Sequence, residues 1–177
     1  MVRNSVQISQ TSSDQVEVYR FSFAVAVLIP LLALFLQAFL PWRFPSLGIF
    51  DLPMLITIFL ALARRNPVTG LLTGAVIGVV QDSLTHQPLG VFGIAKTVVG
   101  YGASSLGVRL DVENAGARLL VVFGFYLVHD VVYFMVSRYM VAQSVTWAWG
   151  HELLSAAANS LLAVVLFMVL DRFKQRT

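Results

Sequence analysis

The chain contains no cysteine, which excludes disulfides, thiolate metal ligands and a cysteine nucleophile. Charge is also scarce. Asp, Glu, Lys and Arg together make up 12% of the 177 residues, about half the share in a soluble domain of this size. There is no P-loop, no G-x-S-x-G and no Ser-x-x-Lys, and the His151-Glu152 pair is followed by Leu-Leu-Ser, without the second histidine of H-E-x-x-H. The signatures of nucleotide binding, acyl transfer and zinc hydrolysis are therefore missing. No basic stripe interleaved with aromatics runs through the sequence, which argues against nucleic acid. The net charge of +3 then reports topology and contact with anionic lipid headgroups.

What is present is apolar sequence. Hydrophobic residues account for 58% of the chain and the mean hydropathy is +0.79. Apolar runs recur at the roughly 20-residue length that crosses about 30 Å of hydrocarbon. The expectation is an all-α polytopic membrane protein with six transmembrane helices in one bundle. The spans are drawn at 21–40, 47–63, 67–84, 89–108, 117–140 and 152–170. Span one should stop at the prolines of "PWRFP", with Trp42 at a membrane interface. Residues 1–20 are polar and lack the apolar core of a secretory signal, so they read as a disordered cytoplasmic tail, and 172–177 as a short basic one.

Loop charges orient the bundle. Arg3, Arg20, Arg64, Arg65, Arg109, Arg118, Arg172, Lys174 and Arg176 fall on one side, against Arg43 and Arg138 on the other. Cytoplasmic loops collect Lys and Arg, so both termini are expected in the cytoplasm. Trp147 and Trp149 then anchor the outer interface.

Glycine spacing points to close helix contacts. Gly70, Gly74 and Gly78 recur every four residues in span three, while span four carries Gly93, Gly100 and Gly107 with Ser104. Bare faces of this kind let helix backbones approach in lipid. They are expected to pack on a helix of this chain or of a partner.

Five ionisable residues reach the outer half of the bundle on this topology: Asp51, Asp82, Lys96, Asp130 and Glu152. Asp82 lies about 22 Å and Asp130 about 20 Å from the inner side, and Lys96 about 10 Å below the outer surface, at 1.5 Å per residue. An isolated charge at depth costs at least about 2.5 kcal/mol, so such groups face the interior and pair. Lys96 is expected to bridge Asp82 or Asp130 and fix helix register, or else the group lines an outward cavity or docking site. Asp51 and Glu152 stand near span ends, where water can reach them. His86, His129 and His151 fall on the same side, yet their spacing makes no zinc motif. No cofactor and no metal are expected.

Residues 50–101, "FDLPMLITIFLALARRNPVTGLLTGAVIGVVQDSLTHQPLGVFGIAKTVVGY", resemble the rod shape-determining protein MreD family. The matching positions are Asp51-Leu52 opening span two, the glycine steps Gly70, Gly74 and Gly78, then Asp82, Leu89-Gly90 and Tyr101. The loop "THQP" holds less glycine than that pattern, and Phe50 stands where a proline is common. The resemblance implies a non-enzymatic inner-membrane component of the bacterial elongasome that binds MreC and helps organise peptidoglycan synthesis and cell shape. Through MreC it implies contact with RodA and its class B penicillin-binding protein, and, directly or indirectly, with MreB filaments. It also implies a fold like the six-helix substrate-binding subunits of energy-coupling-factor transporters. A vitamin-type transporter subunit is therefore the rival reading. Against it, span one has alanines at 24, 26, 33 and 38, no two of them four apart, and so lacks a small-residue face for docking an energising partner.

Overall fold

The computed structural model describes residues 23–108 and 114–173. The N-terminal tail, Arg109 and the last four residues, with Lys174 and Arg176, lie outside the described residues. Six α-helices follow in order: α1 Phe23–Arg43, α2 Leu52–Arg64, α3 Pro67–Leu84, α4 Val91–Gly107, α5 Ala115–Met135 and α6 Trp149–Asp171. A 3-10 turn, Pro45–Ile49, precedes α2, and a π-helical turn, Val136–Met140, extends α5. Among the described residues, five segments are long and apolar enough to cross a membrane by length and composition. The sixth helix, α4, is 17 residues long and carries a lysine in its middle.

Two expected boundaries move. Helix α1 continues through Pro41 to Arg43, because a proline this close to the end removes one hydrogen bond and leaves the rest of the helix intact. Its last turn is closed by the Phe44 amide donating to the Leu40 carbonyl at 2.9 Å. Span two, in contrast, is not one helix. The chain breaks at Phe50–Asp51, and α2 starts only at Leu52. Asp51 has non-helical dihedrals and its Oδ1 accepts from the Met54 amide at 2.9 Å, with Pro53 in the first turn. A capping carboxylate and an early proline together define a helix start.

The 13 residues of α2 make a rod of about 20 Å, too short to span a bilayer alone. It does not need to. Every residue from Pro53 to Ala63 is buried, so α2 is the central staff and the other helices wrap it. A helix that is apolar all round belongs in such a position. At its end Arg65 takes a left-handed conformation (φ 51°), and Asn66 immediately caps α3 by accepting from the Thr69 amide at 3.1 Å.

Helices α3 and α4 run antiparallel and touch backbone to backbone. A Cβ on Gly74 would collide with the Lys96 carbonyl, one on Gly78 with that of Phe92, and one on Gly100 with that of Gly70. Gly107 sits against α2, where a Cβ would lie 2.8 Å from the Leu62 carbonyl oxygen. The core cluster fills the space around α2 with Leu55, Phe59, Val99, Val122 and Phe167. At the end where α5 and α6 begin and finish, Arg118 joins Asp171 at 2.6 Å. Arg118 is thus a buried helix residue rather than a free loop charge.

Candidate functional site: a buried ion pair beside a polar cavity

The polar residues gather at the opposite end, where α2, α4 and α6 start and α3 and α5 finish. Lys96 is fully buried, and its Nζ donates to Asp51 Oδ2 at 2.5 Å. This corrects the expected pairing. Neither Asp82 nor Asp130 holds the lysine; the partner is Asp51, which is itself buried rather than solvated. The reason lies in the late start of α2. Its capping carboxylate uses one oxygen on its own helix and turns the other toward α4, so a single side chain ties two helices. The ammonium also lies 5.1 Å from the Phe92 ring centre, within cation–π range.

Asp82 has a different task. It is fully buried, and its carboxylate accepts from the amides of Gly90 at 2.9 Å, Phe92 at 3.0 Å and Gly93 at 3.2 Å. It therefore caps α4 from the end of α3, where orphan N–H groups and the helix dipole favour a negative charge. Gly90 is needed for its backbone, at φ 100°, since nothing lies within 4 Å of where its Cβ would stand. The same pair of residues thus turns the chain between α3 and α4. Asp82→Ala is expected to cost about 2 kcal/mol, the upper range for losing a cap. Asp82→Asn, which keeps one acceptor oxygen, should cost less. Thermal unfolding in mild detergent, followed by circular dichroism, measures the order of the three.

Several residues of the site carry no charge and escaped the sequence reading. Asn159 of α6 is fully buried. Its Oδ1 accepts from the Asp51 amide at 2.9 Å, and its Nδ2 donates to the carbonyls of Ile49 at 2.8 Å and Ser155 at 2.9 Å. It fastens the break before α2 to α6. Gln37 of α1 accepts from the Leu52 amide at 3.1 Å. A lone amide inside an apolar span was the available signal for both.

Beside the ion pair opens a cavity of about 350 Å³. Asp51, Gln81, His129, Asp130, Glu152 and Ser155 are among its polar walls. The His129 Nδ1 lies 3.1 Å from Asp130 Oδ1, and its Nε2 is 3.9 Å from Asp51 Oδ2. The π-helical turn and the following stretch bring Trp147 to the cavity wall, edge-on to Phe134 at 5.3 Å. Four of the five predicted ionisable residues therefore meet here, through Asp51, Lys96, Asp130 and Glu152, while Asp82 is set apart at the α4 cap. Of the histidines only His129 is buried; His86 is an exposed turn residue with φ 56°. Among the described residues no three His, Asp or Glu side chains are placed to hold a metal. Leu89 and Tyr101 are exposed and do not line the cavity.

No curated protein and no solved structure matches the chain, so the fold likeness to energy-coupling-factor subunits stands without support. The family model described as rod shape-determining protein MreD matches residues 19–175. With helices α1 to α6 all inside that range, the chain belongs to the MreD family of rod shape-determining proteins, multi-pass proteins of the inner membrane.

Proposed function

We propose that this chain is a non-enzymatic organising subunit of the rod-elongation complex, which binds MreC in the membrane and through it joins RodA and its class B penicillin-binding protein. MreB filaments would meet the assembly on the cytoplasmic side. The family match across residues 19–175 carries this reading. The build of the bundle agrees with it. Asp51, Asp82 and Asn159 are spent on fixing helix ends to one another, which suits a rigid platform for a partner helix. The sequence assigns nine basic residues to the loops and tails of one side, against Arg43 and Arg138 on the other, and this pattern favours cytoplasmic termini and a periplasmic Asp51 end.

Affinity purification from native membranes in mild detergent tests the assignment. MreC, RodA and the penicillin-binding protein are expected to co-elute, whereas recovery with ATPase subunits would overturn it in favour of a transporter subunit. Orientation is checked by an impermeant maleimide on intact cells, a clean assay because the chain has no native cysteine. Leu89→Cys is expected to label from outside, and Asn66→Cys only after the membrane is opened.

A further inference from the structure

The cavity at the Asp51 end is furnished beyond what holding helices together requires. Gln81, His129 and Ser155 line it, each at least 97% buried. Gln81 Oε1, His129 Nε2 and Ser155 Oγ have no hydrogen-bond partner within the protein. Asp130 Oδ2 and Trp147 Nε1 are likewise unpartnered; buried polar atoms cost free energy when unpaired, and five around one cavity mark a place built for a polar occupant.

The charge of the walls selects its sign. Asp51 is neutralised by Lys96, but Asp130 and Glu152 face the same space with no lysine or arginine at ion-pair distance among the described residues. The nearest basic groups are imidazoles, His129 at 3.1 Å from Asp130 and the exposed His151 at 3.7 Å from Glu152. Together Asp130 and Glu152 make one acidic pair, which repels an anion. Phe92, Tyr133 and Trp147 also line the cavity, with Phe92 and Tyr133 stacked at 4.9 Å. Aromatic walls with a carboxylate at the end are the environment that attracts an organic ammonium group. The volume, about 350 Å³, lies at the small end of ligand pockets.

We infer that this cavity is a binding site for an ammonium group, recognised by Asp130 and Glu152 and enclosed by Phe92, Tyr133 and Trp147. A free small amine and the headgroup of an aminophospholipid share that chemistry. The inference concerns the cavity alone and holds whether or not the chain joins the rod complex.

The test uses the full chain purified in mild detergent and stripped of lipid, with ethanolamine, glucose and glycerol 3-phosphate as probes, followed by thermal unfolding and isothermal titration. Parallel samples sit in vesicles of phosphatidylglycerol with or without phosphatidylethanolamine. Ethanolamine is expected to bind saturably and raise the unfolding midpoint, with the two other probes inactive. Glu152→Gln and Asp130→Asn, which keep shape and remove charge, should each weaken binding at least tenfold while leaving the ligand-free midpoint close to the parent's. Response to phosphatidylethanolamine without response to free ethanolamine identifies the lipid headgroup as the source; response to both shows that the amine suffices. Glucose binding as well as ethanolamine, affinity unchanged in both variants, or no response to either amine source overturns the inference.

Discussion

Lys96→Met is expected to destabilise the protein by about 3–5 kcal/mol, the usual cost of leaving one member of a buried ion pair without its partner. Methionine matches the lysine stem as far as Cε, so packing along the stem changes little, and what goes is the ammonium with its contact to Phe92. What remains is the Asp51 carboxylate, sealed at an 11% exposed side chain with its countercharge gone. Asp51→Asn should be comparably harmful through the stranded ammonium, although asparagine preserves the cap of α2 because its side-chain oxygen still accepts from the Met54 amide. The double variant removes both charges and should recover most of the loss, since a buried pair replaced by neutral groups of similar shape is often close to neutral. Denaturation of the four proteins in one detergent gives the coupling directly. Additive losses would show that the two side chains do not depend on each other. The same cycle separates structure from assembly: if MreC recovery follows stability through the cycle, the pair acts by holding α2 and α4 together.

The sequence announced the membrane class, six helices and the glycine faces, because hydropathy and spacing are properties of local runs. It also drew Asp51, Lys96, Asp130 and Glu152 toward one end of the bundle, where the ion pair and the cavity lie. Their partners were another matter. Asp82 and Lys96 are neighbours along the chain and lie at similar depth, which made them the natural pair. Yet Asp82 is consumed by the three amides of the α4 start, and no depth argument reveals a cap formed across a turn. Asp51 lies at the edge of an apolar run that looks continuous, where water is expected to reach it. Only the break at Phe50–Asp51 puts its carboxylate in the core. Asn159, which ties that break to α6, carries no charge and was lost among the alanines and leucines around it. Long-range partners depend on which helix faces meet, and a single sequence without packing does not contain that.

The second large effect is steric and falls on the same residue from the other side. Gly74→Ala is expected to cost about 1–3 kcal/mol, the usual penalty for overpacking, and Gly74→Leu should prevent recovery of folded protein. The obstacle is the carbonyl of Lys96, a backbone atom inside a helix, which cannot swing aside as a flexible side chain would. Helix α4 must therefore move away from α3 or tilt. Gly124 of α5 supplies the control, because nothing lies within 4 Å of where its Cβ would be. Gly124→Ala should be neutral or stabilise by up to about 1 kcal/mol through helix propensity. Thermal unfolding of the three variants in detergent tests the contrast, and an unfolding midpoint for Gly74→Ala equal to that of Gly124→Ala would mean that the α3–α4 contact is loose. Lys96 thus has its backbone pressed on Gly74 of α3 while its side chain reaches Asp51 at the start of α2. Pushing α4 off α3 strains that ion pair as well, so part of the Gly74→Ala penalty belongs to the Asp51–Lys96 bond. In the Asp51→Asn, Lys96→Met background, where no bond remains to be strained, the same alanine should cost measurably less than in the parent.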